Sequence, residues 1–273
     1  SIPGSLDGKM HDGDLISIAL INHVNSLRKI PKRDDSKIYF LSIIIPTLNE
    51  GSKLITCIES LVSQDLLESL NVRYEILVVD GCSDSKVKNL IKSLGGLFRY
   101  IEGSPNDRGV SFRQAISKAR GNIIGIFPSD NEYSINDFTK LISGLINSNY
   151  DLVIGNRNHS TFGTKNLKIN RSFISYFGGI VASVLFLLRT NIFCSDILST
   201  LKVFKKNSIK NHKFIAKSLG FDAELIFAVI KNGGIFYELP VYYKGRTYDE
   251  GKKTTILSGL SLLKYIIFNS FKI

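Results

Sequence analysis

Short apolar runs alternate with segments of helical periodicity along the middle of the chain. The apolar runs are rich in β-branched residues and stop at turn or acidic residues, as buried strands do. They lie at residues 38–46, 74–80, 97–102, 122–128 and 151–155. Helical spacing of apolar residues occurs between them, at 51–63, 87–94, through Gln114 to Ala119, and at 134–147. Strands that alternate with helices predict a mostly parallel, doubly wound α/β sheet with helices on both faces.

The two ends of the chain differ from this middle part. Residues 1–37 have mixed charge and weak periodicity, which predicts an N-terminal extension with a linker. A single domain is expected over 38–253, followed by an amphipathic segment at 254–273. Residues 172–188 contain no charge, but 17 residues are at the lower limit for crossing a bilayer. We therefore expect a buried or interfacial helix there, with a membrane span as the less favoured alternative.

Polar and acidic residues follow three of the predicted strands. Because ligands bind beyond the carboxyl ends of the strands in such sheets, these residues are expected to meet at one edge. An acid at a single strand end is usually a helix cap, but acids at three strand ends favour a binding site. The chain contains neither a GxGxxG nor a GKT loop, which disfavours a dinucleotide site and a P-loop. The three segments are PTLNE (46–50), DGCSD (80–84) and PSDNE (128–132).

Charge and cysteine content narrow the class of protein further. The net charge is +11, and residues 157–273 hold 18 Lys/Arg against 6 Asp/Glu, whereas residues 1–156 are almost balanced. Such an excess suits phosphate groups, nucleic acid or an anionic membrane, or is only a solvated basic surface. Three widely separated cysteines and four scattered histidines argue against a disulfide framework and a zinc site, and fit a reducing cytosol.

The motifs taken together resemble a family 2 glycosyltransferase from about Leu41 to about Leu263. Besides the strand-end segments, the resemblance rests on DLVIGNR (151–157), SDILSTLKVFKK (195–206), residues 220–246 and YDEGKK (248–253). The later motifs are similar to the branch that contains dolichol-phosphate mannose synthase and bacterial polyprenyl-phosphate glycosyltransferases. The resemblance implies a glycosyltransferase A-type fold and makes 38–253 the catalytic domain. It also implies inverting, metal-dependent transfer from a UDP- or GDP-linked sugar to a polyprenyl phosphate.

The resemblance assigns roles around the donor. Asp130 and Glu132 match metal-ligand positions for Mg²⁺ or Mn²⁺, and a cation there would neutralise the departing diphosphate. Pro128 stands where the family has the first aspartate of an Asp-x-Asp motif, so weaker metal binding is expected. Contacts to the nucleotide are implied for Pro46, Glu50, Asp80 and Arg113.

At the acceptor end, the resemblance implies that basic residues bind the lipid phosphate. A phosphate monoester is already ionised near neutral pH, with a second pKa of about 6, so it needs no general base. Asp196 is the candidate base if the acceptor is instead a hydroxyl group, and otherwise it would orient sugar hydroxyls. The matching basic residues are Arg157, Arg171, Arg246, Lys252 and Lys253, with Arg246 also a candidate for catalysis.

Two other functions stay open at this point. A transferase acting on a hydroxyl of a polysaccharide or glycolipid keeps the same chemistry, whereas Pro128 favours a non-catalytic nucleotide-sugar-binding protein. No nucleic-acid recognition motif is present. A polyprenyl acceptor implies a cytoplasmic protein in peripheral contact with the cytoplasmic face of a membrane, through residues 172–188 and the amphipathic end of the chain.

Overall fold

The protein builds one seven-stranded sheet with helices packed against it. The computed structural model describes residues 39–48, 50–62, 70, 72–81, 85–94, 97–158, 173–245 and 256–268. The strands are β1 (Phe40–Thr47), β2 (Arg73–Asp80), β3 (Phe98–Glu102), β4 (Ile123–Ile126), β5 (Leu152–Asn156), β6 (Lys202–Lys205) and β7 (Phe236–Pro240). The helices are α1 (Gly51–Val62), α2 (Ser85–Ser93), α3 (Arg108–Lys118), α4 (Ile135–Ile146), α5 (Phe173–Thr190), α6 (Gly220–Lys231) and α7 (Ile256–Phe268). A short 3₁₀ helix, Lys206–Ile209, follows β6.

The strand order is β3-β2-β1-β4-β6-β5-β7. Strands β1 to β4 are parallel to their neighbours in this group, and β5 is parallel to β7. Strand β6 lies between β4 and β5 and is antiparallel to both. The predicted mostly parallel, doubly wound sheet is therefore confirmed, although the sequence pattern did not reveal β6 or β7.

The sheet is buried on both faces, as the prediction of helices on both sides requires. Along β1, Ile44 enters one core while Ile43 and Ile45 enter the other, because successive side chains of a strand point to opposite faces. Helices α1, α2 and α4 contribute to the core that contains Ile43, whereas α3, α5, α6 and α7 contribute to the core that contains Ile44. Each helix buries its apolar side against one of these two cores.

Helices α5 and α7 correspond to the two segments for which an interfacial position was considered. Helix α5 buries Ala182 and Phe186, and α7 buries Leu262 and Ile266, so each has one face in the core. Among the helices that the structure describes, none has the length and apolar character needed to cross a bilayer. The predicted N-terminal extension, residues 1–37, lies outside the described part of the chain.

Candidate active site

The carboxyl ends of β2, β1 and β4 lie side by side and carry the predicted acidic segments. Thr47, the last residue of β1, is the register partner of Asp80, the last residue of β2. The hydroxyl of Ser129, just after β4, donates a 2.9 Å hydrogen bond to the carbonyl oxygen of Pro46. The segment after β4 therefore folds onto the end of β1, beside the end of β2.

Asp80 sits in a tightly packed pocket at this edge. The residue is 2% exposed, and Tyr100 Oη donates to its Oδ2 at 3.4 Å. Its carbonyl oxygen accepts a 2.8 Å hydrogen bond from the backbone N–H of Gly103. A Cβ atom on Gly103 would come within 2.8 Å of Ser111 Oγ and 3.1 Å of the Asp80 carbonyl oxygen, so the close approach requires glycine.

Residues 130 to 132 form a tight turn, here called the acidic turn. Its backbone is closed by a 3.2 Å hydrogen bond from the N–H of Glu132 to Asp130 Oδ1. Asn131 between them adopts φ 60°, a left-handed conformation that asparagine tolerates better than most residues. Burial, together with the nearby Asp130 carboxylate, raises the pKa of the Cys57 thiol to about 12, which places Asp130 beside α1.

The segment after β7 is fastened onto the acidic turn. Tyr243 Oη donates a 2.9 Å hydrogen bond to Glu132 Oε2, and the N–H of Lys244 donates to the Glu132 carbonyl oxygen at 2.9 Å. The backbones of Tyr133 and Tyr243 form an antiparallel bridge, and their rings lie 5.2 Å apart. The carboxylate of Glu132 is thus held in place by a residue 111 positions later in the chain.

Arg157 and Asp196, both predicted at the acceptor end, are bonded to each other. Arg157 Nε and Nη2 donate to the two carboxylate oxygens of Asp196 at 2.8 and 2.7 Å, and the Arg157 N–H donates at 2.9 Å. The guanidinium also lies 5.2 Å from the ring centroid of Tyr243, which joins the pair to the acidic turn. Burial disfavours the charged form of Arg157, but the Asp196 carboxylate, together with the hydroxyl groups of Tyr133 and Tyr243, more than offsets this and raises the pKa of Arg157.

A buried glutamate that the sequence analysis did not identify, Glu238, holds the backbone beneath Asp196. Its carboxylate accepts hydrogen bonds from the N–H groups of Ser195 and Asp196 at 2.8 and 2.9 Å, and from Ser195 Oγ at 3.0 Å. Asn156, at the end of β5, donates to the same carboxylate at 3.3 Å. Burial raises the pKa of Glu238 despite these donors. The sequence signal that could have identified Glu238 is an acidic residue within a mostly apolar segment, two residues before Pro240.

A second network of charged side chains, which was not predicted from the sequence, is centred on Asp222. Asp222, at the start of α6, accepts hydrogen bonds from Lys202 Nζ at 3.1 Å and from the Arg108 guanidinium. The side chains of Lys202 and Asp222 are 0% exposed, and Arg108 also donates to Thr200 Oγ1 at 3.1 Å. Burial lowers the pKa of Lys202, which the Asp222 carboxylate opposes. This network ties α3, β6 and α6 together.

Not all predicted site residues join this edge. Arg113 lies on α3 with its Nη1 atom bonded to the Ala216 carbonyl oxygen at 2.6 Å, and its side chain lines a groove near the opposite ends of the strands. The structure therefore does not bring it to the expected diphosphate position, because α3 turns that face away from Asp80. Glu50 precedes α1 and lies 3.9 Å from Lys53 Nζ. Arg171, Arg246, Lys252 and Lys253 lie outside the described residues.

The donor atoms of the acidic turn fit a divalent cation that is shared with a substrate. Within the described residues there is no cluster of three or more His, Cys, Asp or Glu side chains arranged to hold a metal. Asp130 and Glu132 nevertheless provide hard oxygen donors on one turn, and Mg²⁺ is commonly bound by one or two carboxylates plus substrate phosphates. The residues present thus fit a cation held jointly with a diphosphate, and not an all-protein metal site.

Comparison with known proteins places this arrangement in a family. The sequence profile described as glycosyl transferase family 2 matches residues 42–212, more than half of the chain. This chain belongs to glycosyl transferase family 2. The matched region contains the strand ends, the acidic turn and the Arg157–Asp196 pair, so the resemblance inferred from the motifs is confirmed.

The names of two curated relatives include a polyprenyl phosphate or a polyprenyl-phosphate-linked sugar. The dolichyl N-acetyl-alpha-D-glucosaminyl phosphate 3-beta-D-2,3-diacetamido-2,3-dideoxy-beta-D-glucuronosyltransferase of Methanococcus voltae is 35% identical over 106 residues, 37% of this chain and 32% of that protein. The dodecaprenyl-phosphate galacturonate synthase of Rhizobium johnstonii is 25% identical over 240 residues, 85% of this chain and 68% of the relative. The match therefore spans about a third of the first relative's length.

A solved structure confirms the fold. The glucosyl-3-phosphoglycerate synthase of Mycobacterium tuberculosis, in complex with Mn²⁺, UDP and glucosyl-3-phosphoglycerate, superposes with a TM-score of 0.58 at 18% identity. The superposition covers 84% of this chain and 79% of that one. The predicted glycosyltransferase A-type fold is therefore present in this protein.

Proposed function

We propose that this protein is an inverting glycosyltransferase that moves a hexosyl group from a UDP- or GDP-linked sugar to polyprenyl phosphate, with Mg²⁺ or Mn²⁺ as cofactor. The observation that carries this proposal is the meeting of Asp80 and the acidic turn at one edge of the sheet of a family 2 chain, at the ends of the two strands that flank β1. The polyprenyl-phosphate acceptor is supported by the name of the Rhizobium johnstonii relative, a dodecaprenyl-phosphate galacturonate synthase, whereas the name of the Methanococcus voltae relative describes transfer to position 3 of a lipid-linked sugar.

The donor half of the site would bind the nucleotide-sugar. Asp130 and Glu132 would hold the cation, which offsets negative charge on the departing nucleoside diphosphate. Asp80, which is 2% exposed at the edge of the sheet, would accept hydrogen bonds from ribose hydroxyls or a base N–H. Pro46 and Glu50, at the end of β1 and the start of α1, are proposed to border the nucleotide.

The acceptor half would bind an ionised phosphate. One phosphate oxygen attacks the anomeric carbon on the face opposite the diphosphate, and the new carbon–oxygen bond forms as the bond to the diphosphate breaks. The electron pair of that bond leaves with the nucleoside diphosphate, so no proton has to be removed from the acceptor. Arg157 would bind the remaining oxygens of the acceptor phosphate, because Asp196 holds its guanidinium fork in one orientation.

The lipid part of such an acceptor requires contact with a membrane, and α5 has a suitable face. Its exposed apolar residues are three, four and four positions apart and so form one stripe, here called the apolar stripe. They are Phe177, Ile180, Val184 and Leu188, with exposures of 58, 40, 45 and 71%. The end of α7 adds Ile267 and Phe268, next to Arg189, whose Nη2 donates to the Ile267 carbonyl oxygen at 2.8 Å.

Release of nucleoside diphosphate tests the proposed reaction. The enzyme is mixed with UDP- or GDP-sugars, Mn²⁺ and a short-chain polyprenyl phosphate, and release is expected to require all three. Asp130→Asn should lower the rate about 100-fold, because one of two proposed cation ligands is lost, whereas Glu59→Gln on the exposed face of α1 should not. Equal rates for these two variants would contradict the proposed site.

Flotation with phosphatidylcholine vesicles tests the membrane contact separately. Phe177→Ser/Leu188→Ser should abolish flotation, since it removes two of the most exposed members of the apolar stripe. Ile55→Ser/Leu94→Ser changes side chains of 44 and 42% exposure on the other side of the sheet and is the matched control. Flotation that survives the first pair of substitutions would exclude the apolar stripe as the contact.

A hydroxyl acceptor is the second candidate function, and the Arg157–Asp196 pair is the observation that bears on it. Asp196 is 3% exposed and bonded to the guanidinium, so it would have to leave Arg157 to serve as a general base. Asp196→Asn should abolish transfer to a hydroxyl, whereas transfer to a phosphate should be reduced about tenfold through poorer orientation of Arg157. Transfer to glycan hydroxyls but not to polyprenyl phosphate would select this second function.

A further inference from the structure

A groove with a strongly basic lining lies near the edge of the sheet opposite the acidic turn. It has a volume of about 750 Å³ and is bordered by the second half of α3, the residues that lead into β4, and the segment after β6. Since β1 is eight residues long, the two edges are about 25 Å apart. The groove is therefore separate from the proposed donor site.

Five cations line this basic groove, and no aspartate or glutamate does. They are Arg113, Arg120, Lys206, Lys210 and Lys213. Two buried carboxylates contact residues of the lining: Glu75 accepts a 2.7 Å hydrogen bond from the backbone N–H of Arg120, and Glu224 accepts from His212 Nε2 at 3.3 Å and from the backbone N–H groups of Ile215 and Ala216 at 2.9 and 2.8 Å. The five lining cations outnumber these two acids, so the groove keeps a net positive potential.

Two of the five cations are held in position by the fold. Arg113 Nη1 donates to the carbonyl oxygen of Ala216 at 2.6 Å, and Lys206 Nζ donates to the carbonyl oxygen of Ala119 at 2.6 Å. Neither bond neutralises a charge, because both acceptors are uncharged. The other three, Arg120, Lys210 and Lys213, are exposed. Fixed cations at the wall with exposed cations around them are suited to a ligand that carries several negative charges.

The remaining lining gives the groove the character of a small-molecule site. Ile116, Ile209 and Phe214 contribute apolar surface, and Phe214 is itself packed between His212 and Phe221, with ring centroids 4.8 and 5.2 Å away. The groove is open to solvent, and its volume of about 750 Å³ can hold a small organic molecule. An apolar floor beneath several cations is complementary to a phosphorylated organic molecule.

We propose that the basic groove binds a ligand with more than one phosphate group, at a site distinct from the acidic turn and the Arg157–Asp196 pair. Such a ligand would place its negative charges among the five cations and reduce their mutual repulsion. The ligand is either a soluble phosphorylated molecule or the phosphate head groups of anionic lipids, which share this chemistry. The proposal does not depend on the proposed transfer reaction.

Calorimetric titration with inorganic pyrophosphate, in EDTA to exclude a metal-assisted contribution from the donor site, tests the soluble form of the ligand. Flotation with phosphatidylcholine vesicles, with and without phosphatidylglycerol, tests the lipid form. Arg120→Glu/Lys210→Glu should weaken one of these interactions at least about tenfold, because each lost contact is a hydrogen bond to a charged group. Arg73→Glu/Lys92→Glu makes the same change in net charge at exposed positions outside the groove and is the control.

Each outcome decides the proposal. Loss of pyrophosphate binding in the groove variant alone identifies a soluble ligand, and loss of phosphatidylglycerol-dependent flotation in that variant alone identifies lipid head groups. Equal loss in the groove variant and the control would mean general charge attraction, and no loss in either would mean an unused surface; both results overturn the proposal. Lys213→Glu is the second variant if the double substitution lowers the thermal midpoint.

Discussion

Asp222→Asn is predicted to destabilise the protein more than Lys202→Met, the substitution that replaces its partner with an apolar side chain. In the native protein Asp222 contacts two cations, Lys202 and Arg108. The substitution leaves the Lys202 ammonium, whose side chain is 0% exposed, without its counter-charge. Breaking a buried pair in this way typically costs about 3–5 kcal/mol.

Loss of a proton from Lys202 limits the destabilisation caused by Asp222→Asn. The isolated ammonium can lose its proton instead of remaining charged, and from an unfolded pKa of about 10.4 this costs about 4.6 kcal/mol at pH 7. A cation whose pKa is lower in the folded than in the unfolded state makes unfolding free energy rise with pH between those two values. The penalty of Asp222→Asn should therefore shrink to about 2 kcal/mol at pH 9.

Lys202→Met should behave differently, because Asp222 then keeps its bond to Arg108, whose side chain is 30% exposed. We expect this single substitution to cost about 1–2 kcal/mol. In the Asp222→Asn background the same substitution removes the buried unpaired charge, so it should raise stability by about 2 kcal/mol. A change that destabilises one background and stabilises the other is the signature of the pair.

Urea unfolding at pH 7 and pH 9, followed by far-ultraviolet circular dichroism because the chain has no tryptophan, measures these energies. Lys140→Met removes an exposed ammonium from its 2.9 Å pair with Asp137, which keeps a 2.7 Å hydrogen bond from the Tyr242 N–H, and should cost under about 1 kcal/mol. If Lys202→Met destabilised Asp222→Asn further, or if Asp222→Asn cost no more than Lys140→Met, the assignment of a buried charge network would be wrong.

Three further predictions concern other polar contacts of the fold and the site. Glu238→Ala should lower the free energy of unfolding by about 3 kcal/mol in urea titration, because it leaves buried donors unpaired, and Glu238→Gln by about half as much. Burial opposes ionisation of Glu75, but hydrogen bonds from Arg120, Ser42 and Arg99 outweigh burial and lower the pKa of Glu75. The stability that the ionised Glu75 contributes is therefore lost as the pH falls below about 4.5. Glu75→Gln should make the thermal midpoint depend less on pH between pH 5 and about pH 3. Tyr243→Phe removes the donor to Glu132 and should weaken activation of diphosphate release by Mn²⁺ about tenfold, and unchanged activation would show that Tyr243 does not position the turn.

The sequence by itself determined the local elements and the edge where the acids lie. Strands β1, β2 and β4 are runs of buried Ile, Leu and Val, and their periodicity and length distinguish them from the helices between them. Parallel strands that all end at one edge must bring Asp80 and the acidic turn to the same side of the sheet. No long-range contact had to be known for either inference.

Strand β6 and the roles of several charged residues depended on tertiary structure. The four residues of β6, KVFK, have too little apolar pattern to predict a strand, and Lys202 would be taken as a surface residue. Its burial is possible only because Asp222, 20 positions later, supplies the counter-charge. Antiparallel insertion of β6 between β4 and β5 follows from this packing and not from local propensity.

The pairing of Arg157 with Asp196 also depended on tertiary structure. Arg157 and Asp196 each looked like an independent site residue, but they are bonded to each other across 39 positions of the chain. Arg113 looked like a diphosphate ligand, but the rotation of α3 directs it into the basic groove. Residue type and periodicity specify which elements form and which chemistry is available, whereas the direction and partner of a charged side chain are decided when distant elements pack and bury it.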